Sequence, residues 1–140
     1  MKRFLFSLLL VACTHISYAQ TPIDSVFRGY IYNAEYQVYI KMDFYKNNVK
    51  VPMQEIYGEL PGYFGAKRDS RLWLISSAKI TNKKTAKLSI TNDYGSEDLS
   101  ATLSYNYDGT YTLKQGDGSR MKIVVNRKWV KLPNEIKFTR

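Results

Sequence analysis

Hydrophobic and polar side chains alternate along most of the chain from Val26 onward. The clearest case is YQVYIKMDFY, residues 36–45, in which every second side chain is apolar and the positions between them include Gln37, Lys41 and Asp43. Alternation with a period of two is that of a β-strand with one buried face. Because the chain offers almost no amphipathic helical stripe, the pattern predicts half-buried antiparallel strands.

Turn-forming residues divide this alternation into about eight strands. The predicted strands cover residues 26–33, 36–46, 49–59, 71–80, 86–92, 97–106, 110–115 and 119–126, with a ninth left open at 128–132.

The hairpin registers follow from parity, because directly opposed residues of a hairpin point to the same face. Pairing Tyr105 with Tyr111 leaves a loop at residues 107–109, and Gly109 then occupies the place that needs a left-handed conformation. The same reasoning predicts these further pairs: Ile80 with Ala86, Ile90 with Leu99, Leu113 with Met121, Tyr111 with Ile123, and Phe44 with Val51 across an Asn47-Asn48 turn.

Hairpins between sequence neighbours, each with one apolar face, must close on themselves or find a second layer. Since no helix is available as that layer, we expect a single antiparallel up-and-down β-barrel of about eight strands. A β-sandwich is the alternative, but the short loops after residue 81 leave no length for Greek-key crossings.

The start of the chain has the pattern of an export signal: Lys2 and Arg3, an apolar run over residues 4–12, and the small residues Ser17 and Ala19. Cleavage after Ala19 predicts a signal peptide at 1–19 and a barrel domain at 20–140, exported to the periplasm or out of the cell.

A second cleavage site is predicted before Cys13. Residues 10–13, LVAC, resemble a bacterial lipobox, and their use would leave Cys13 to be acylated. The protein would then be an outer-membrane lipoprotein, with this lipid as its expected membrane contact.

The balance of charge is basic. The chain carries +9, and loss of Lys2 and Arg3 leaves +7. An exported protein meets no nucleic acid, so the partners predicted for this charge are lipid headgroups, cell-wall polymers, acidic glycans or acidic proteins. The alternative is that the charge serves solubility.

Few groups remain for catalysis. Cys13 and His15 are the only cysteine and histidine, and cleavage after Ala19 removes both. Metal sites built on these ligands and base-activated serine or cysteine nucleophiles are thereby excluded from the mature chain, and no cofactor is expected.

The carboxylate pairs Glu55/Glu59 and Glu97/Asp98 are the remaining acid–base candidates. Four residues along a strand separate the first pair by more than glycoside cleavage uses, and the second pair lies beside a turn. The sequence therefore predicts a protein that is not an enzyme.

The strand count, the repeated DG turns at residues 108–109 and 117–118, and the alternation of small and aromatic core positions resemble the small lipocalin-like, or calycin-like, β-barrels of bacterial envelopes. The resemblance covers residues 26–132. Such barrels include carriers of small apolar ligands and inhibitors of lysozyme-type enzymes, so the resemblance implies binding rather than catalysis.

The longest irregular stretch is GELPGYFGAKRDSR, residues 58–71, and a long connection among short ones is where a binding loop is expected. The alternative for this stretch is a plug over the barrel end. Outward tyrosines on the second strand extend the surface. The predicted binding residues are Tyr39, Tyr45, Tyr63, Phe64, Lys67, Arg68 and Arg71.

The sequence thus predicts an exported, non-enzymatic binding module for a protein or for an anionic glycan or cell-wall component. Its exposed aromatic patch would comprise Tyr39, Tyr45, Tyr63 and Phe64. The alternative is a carrier of a small apolar ligand, with a cavity inside the barrel. That cavity would be lined by Val38, Ile40, Leu88, Leu103, Tyr105 and Leu113.

Overall fold

The computed structural model describes residues 25–140, so the predicted signal peptide, both cleavage sites and Cys13 lie outside the described residues. The described strands are β1 (Arg28–Asn33), β2 (Val38–Asp43), β3 (Val49–Lys50), β4 (Glu59–Leu60), β5 (Gly62–Ala66), β6 (Asp69–Asn82), β7 (Thr85–Asn92), β8 (Asp98–Tyr105), β9 (Tyr111–Gly118), β10 (Lys122–Val125), β11 (Lys128–Lys131) and β12 (Glu135–Phe138). A 3-10 turn spans Glu55–Tyr57, and no helix in this part of the chain is long and apolar enough to cross a membrane.

Eight strands form one antiparallel sheet in the order β1-β2-β5-β6-β7-β8-β9-β12. This order follows the chain, which confirms the predicted up-and-down arrangement of about eight strands. Between the outermost strands, the Tyr32 N–H donates to the Thr139 carbonyl at 2.7 Å and the Thr139 N–H donates back at 2.9 Å. That bridge brings the sheet close to full closure as a barrel.

The hairpins from β6 to β9 have the predicted registers. Gly109 has the expected positive φ of 83°, and the Asn106 N–H donates to the Thr110 carbonyl across the loop. The confirmed pairs are Ile80 with Ala86, Ile90 with Leu99, and Tyr105 with Tyr111.

The predicted strand at 49–59 and its pairing of Phe44 with Val51 are wrong. The two-residue strands β3 and β4 pair with each other outside the barrel, and the barrel partner of β2 is β5. Asn47 does adopt positive φ, but its N–H donates to the Asp43 carbonyl at 2.9 Å and the chain leaves the sheet there.

Strand β5 lies in the stretch predicted to be irregular, and all five of its residues are buried. The expectation that residues 58–71 form one irregular connection, as a loop or as a plug over the barrel end, is therefore wrong. The glycines that suggested a strand break allow close packing instead, since a Cβ on Gly62 would collide with the Lys41 carbonyl oxygen of β2.

The pairing of β9 with the segment after it is also wrong. Strand β9 pairs with β12, which sets Leu113 opposite Ile136 and Tyr111 opposite Phe138. Strands β10 and β11 form a separate hairpin between them. The short β12 had not been predicted.

Large rings fill the barrel interior. Phe64 of β5 and Phe138 of β12 meet across it with ring centroids 6.4 Å apart, and Tyr105 and Tyr111 meet at 5.0 Å. Met121, Ile123 and Leu132, from the segment that carries β10 and β11, belong to the same buried cluster. The interior is therefore a packed core.

A second apolar cluster lies on the outer face. The β3–β4 hairpin covers β5 and β6 there, and the buried members are Val49, Val51, Tyr63, Leu72 and Leu74. Trp73 points into the main core, and its indole N–H donates to the Lys122 carbonyl at 3.1 Å. Because Leu72 and Leu74 belong to the outer cluster, β6 is apolar on both faces here.

Candidate functional site

Three tyrosine rings lie side by side on the outer face of β1, β2 and β5. Tyr30 and Tyr39 are stacked with centroids 5.3 Å apart, and Tyr63 meets Tyr39 edge-on at 6.1 Å. Both are geometries that aromatic pairs prefer. We call these three residues the tyrosine row.

Strand register places the row. Tyr30 of β1 lies opposite Lys41 of β2, and Lys41 lies opposite Tyr63 of β5. Tyr39, two residues before Lys41, points to the same face. The lysine therefore stands between two of the three rings.

The absence of a side chain at Gly65 leaves room for the Tyr39 ring, the middle ring of the row. A Cβ on Gly65 would lie only 2.5 Å from the Tyr39 hydroxyl oxygen and 2.6 Å from Cζ, so any larger residue would displace the ring. The glycine that suggested a loop is thus what allows Tyr39 to lie across β5.

Beside the row is an open groove of about 830 Å³, bounded on its other side by Asn48, Val49 and Lys50 of the β3 segment. This volume is within the range of ligand sites in proteins. Its wall also includes the exposed cations Arg28 and Lys41. We call this feature, with its three rings and three cations, the tyrosine groove.

Two of the groove tyrosines have raised pKa values, and the carboxylate that lines the groove accepts hydrogen bonds from backbone N–H groups. Burial raises the pKa of Tyr39 and of Tyr63, and each is raised further by a neighbouring tyrosine, so their hydroxyls stay protonated at neutral pH. Asp43 also lines the groove, but its Oδ1 accepts the N–H groups of Tyr45 and Lys46 at 3.1 and 3.0 Å. It acts as a cap for the turn after β2.

The predicted site residues separate into groups. Tyr39 and Tyr63 meet in the groove, although Tyr63 is only 6% exposed and serves as floor. Phe64 is 1% exposed in the barrel core. The expectation that Tyr63 and Phe64 form an exposed pair is therefore wrong, because they belong to a strand that is buried on both faces.

The other four predicted residues, Lys67, Tyr45, Arg71 and Arg68, do not line the groove. The Lys67 ammonium lies 4.4 Å from the ring centre of Tyr32, which pairs with Tyr39, so Lys67 extends one edge of the site. Tyr45 accepts the Phe27 N–H through its hydroxyl at 3.1 Å. Arg71 lies near Trp129, while Arg68 is in the turn between β5 and β6.

Sequence reasoning had not assigned four groove residues: Arg28, Tyr30, Lys41 and Lys50. Parity could have found two of them. Lys41 follows Tyr39 by two positions on the same strand, and Tyr30 belongs to the neighbouring predicted strand, residues 26–33. Lys50 could not have been found, since its position depends on the β3–β4 hairpin folding back over β5.

The carboxylates considered for catalysis lie outside the groove. Glu55 and Glu59 are exposed on the β3–β4 excursion, and the Glu97 carboxylate pairs with the Lys122 ammonium at 3.3 Å. Within residues 25–140, no group of three or more potential ligand side chains could hold a metal ion.

Comparison of the chain with protein-family models, with curated proteins and with solved structures finds no match. The geometry of the tyrosine groove is therefore the observation from which a function can be inferred.

Proposed function

We propose that the protein is an exported, non-enzymatic binding module that recognises an anionic envelope component in the tyrosine groove. The ligand is an acidic glycan or cell-wall polymer, or the acidic surface of a protein. The observation that supports this proposal is the meeting of three tyrosine rings and three cations in one open groove.

The two kinds of side chain have complementary tasks. Tyrosine rings offer flat apolar surfaces with a hydroxyl at the rim, which suits the apolar face of a sugar ring or a peptide side chain. Arg28, Lys41 and Lys50 attract carboxylate, sulfate or phosphate groups, and the Arg28 guanidinium can hold such a group with two parallel hydrogen bonds.

The site is rigid before a ligand arrives. Its rings stand on paired strands, Tyr39 lies over Gly65, and Tyr63 is packed into the second apolar cluster. Binding therefore orders few side chains, apart from the lysines, and little entropy is lost.

The packing of the interior supports a surface module over the carrier alternative. Among the residues expected to line a carrier cavity, Val38, Leu103 and Leu113 are fully buried in the main cluster. A ligand inside would have to displace the rings of Phe64 and Phe138, which meet across the barrel. Insertion would thus break the core that holds the fold together.

The proposal is tested by the binding of residues 20–140 to immobilised acidic polysaccharides, cell-wall polymers and acidic proteins. We expect the double variant Lys41→Gln/Lys50→Gln, and separately Tyr30→Ala, to weaken binding about tenfold or more. The matched control is Lys79→Gln/Lys87→Gln, because these two exposed lysines face each other on β6 and β7, away from the groove.

An equal loss in the control would contradict the proposal, because attraction would then follow net charge alone. Pull-down from envelope extracts with the same variants, followed by mass spectrometry, separates a protein ligand from a polymer. Tyr30 and Lys41 are suitable positions because both are exposed, whereas alanine at Tyr63 or Phe64 would damage the fold.

A further inference from the structure

The β3–β4 hairpin ends in two aliphatic side chains that the fold leaves almost bare. Met53 is 97% exposed and Ile56 is 91% exposed. We call these two residues the apolar tip. Scattered exposed apolar residues are common, but two this exposed on one turn are typical of a contact surface.

The tip is held outward. The Gly58 N–H donates to the Glu55 carbonyl at 3.0 Å, and the Tyr57 hydroxyl donates to the Asp93 carbonyl at 3.4 Å. The second contact is long, and it places the tip beside the turn after β7. Met53 itself has a positive φ of 59°, a conformation that side chains rarely adopt.

Two exposed aromatic residues lie next to this point. Tyr94, which follows Asp93, is 77% exposed, and Trp129 is 56% exposed. Both line one small cavity together with Arg71 and Lys122. Arg71 and Lys122 lie 5.1 and 5.0 Å from the centre of the Trp129 ring.

These residues share one end of the barrel. Because neighbouring strands are antiparallel, the turns after β5 and β7 and the β10–β11 hairpin after β9 lie at the same end. We call the barrel end that carries these turns the distal end. Residues 25 and 140 lie at the opposite end of the barrel, where the Arg140 guanidinium donates to the Ser25 carbonyl at 2.7 Å.

The distal end also carries exposed cations outside the ion pairs of the described residues. Within residues 25–140, no acidic side chain lies within ion-pair distance of Arg68, Arg127 or Lys128. Asp69 and Glu97, by contrast, are each paired with a cation. These three cations are therefore available to contact anionic groups.

We propose that the distal end docks on the surface of an anionic lipid bilayer. The apolar tip enters the boundary between headgroups and acyl chains, Tyr94 and Trp129 lie at headgroup level, and Arg68, Arg127 and Lys128 contact lipid phosphates. Aliphatic insertion, an interfacial aromatic belt and basic residues together are the pattern of peripheral membrane binding.

A bilayer suits this surface better than a protein does. The tip is a protrusion, and a fluid bilayer accepts it without a complementary pocket, whereas protein hot spots need a matched one. The tyrosine groove lies on the side of the barrel, so the two surfaces can be mutated separately.

The test is flotation of residues 20–140, which contain the whole barrel and lack Cys13, with vesicles of phosphatidylcholine alone or with added phosphatidylglycerol. We expect binding only to the anionic vesicles, with a blue shift of tryptophan fluorescence that Trp129→Phe abolishes. The double variant Met53→Ser/Ile56→Ser should bind about tenfold more weakly or worse.

Matched controls distinguish insertion of the apolar tip from nonspecific adsorption to the vesicles. Tyr107→Ser removes an equally exposed side chain at the opposite end and should leave vesicle binding unchanged. Arg68→Gln/Lys128→Gln should weaken binding, while Lys79→Gln/Lys87→Gln, with the same net charge, should not. Circular dichroism and thermal unfolding confirm that each variant is folded.

Full vesicle binding by Met53→Ser/Ile56→Ser would overturn the proposal. The proposal would also be overturned if the chain did not bind anionic vesicles but bound an envelope protein through Met53 and Ile56, since the surface would then be a protein-binding site. Loss of polymer binding by Tyr30→Ala with unchanged vesicle binding would leave this inference standing.

Discussion

The outer faces of the two halves of the barrel differ, although their inner faces are alike. On β1, β2 and β5 the outer positions carry the tyrosine row, and the β3–β4 hairpin adds a second apolar cluster. On β7, β8 and β9 they carry short hydroxyl side chains, among them Ser89, Thr91 and Ser100, around a shallow depression of about 490 Å³. We call these the aromatic half and the hydroxyl half.

The difference separates the interior, which stabilises the fold, from the outer surface that we propose for recognition. Both halves contribute to one packed interior, which specifies the fold. Only the aromatic half has a second layer outside the sheet, and that layer creates a groove with a wall and a floor. The hydroxyl half offers a ligand only its shallow depression of about 490 Å³, without a hairpin as a wall.

The largest effect is expected where the aromatic half enters the shared interior. Phe64→Ala should lower the free energy of unfolding by about 3–5 kcal/mol, because it leaves a cavity opposite Phe138. Ser89→Ala, on the exposed face of the hydroxyl half, should change it by less than about 0.5 kcal/mol. Urea unfolding of both variants gives the comparison, and a small loss for Phe64→Ala would contradict a packed interior.

The second apolar cluster is tested by Leu74→Ala. Leu74 is 1% exposed on the outer face, so we expect a loss of about 2–4 kcal/mol. Its cross-strand neighbour in the hydroxyl half is Thr91, whose hydroxyl donates to the Glu97 carbonyl at 3.1 Å. Thr91→Ala should cost about 1 kcal/mol. Equal losses in denaturant titrations would mean that the aromatic half has no second core.

The two halves meet at the seam between β1 and β12, which Arg140 joins. Its guanidinium donates to the carbonyls of Ser25 and Arg28 at 2.7 and 3.0 Å and to the Tyr111 hydroxyl at 2.8 Å. Arg140→Met should cost about 1–3 kcal/mol and speed hydrogen exchange at Tyr32 and Thr139. Lys137→Met, on the exposed face of β12, is the control. Unchanged hydrogen exchange in Arg140→Met would show that Arg140 does not stabilise the seam.

The smallest effect concerns pH. Burial raises the pKa of Tyr39 and of Tyr63 above the ordinary tyrosine value of about 10. The unfolded chain therefore loses these protons first, and the free energy of unfolding should fall as pH rises from about 10 through the folded pKa values. Tyr39→Phe/Tyr63→Phe should fall less steeply above pH 10 and show no linkage difference at neutral pH. Parallel slopes for variant and wild type would refute the assignment.

The sequence predicted the hydroxyl half well for a physical reason. Between Ile80 and Tyr111, apolar and polar residues alternate with little ambiguity, so parity allows only one register for each hairpin. The short loops then left only neighbouring strands as partners.

The same reasoning failed in the aromatic half because apolar residues occupy both faces. Around β5 and β6, Tyr63, Leu72 and Leu74 point outward while Phe64 and Trp73 point inward. Alternation cannot identify the core face when both are apolar, and glycines needed for close packing imitate a loop. The site was therefore found only in part, through Tyr39 and Tyr63.

The sequence by itself determined the all-β class, the meander of about eight strands and the registers from β6 to β9, because these depend on local alternation and turn chemistry. Tertiary structure alone decided that β5 is the barrel partner of β2 and that β12, rather than β10, pairs with β9. It also decided that the β3–β4 hairpin folds over the outer face to complete the tyrosine groove. These pairings depend on which segments pack against the inner and the outer face of the sheet. Such packing joins residues that are distant in the chain, so no local sequence pattern predicts it.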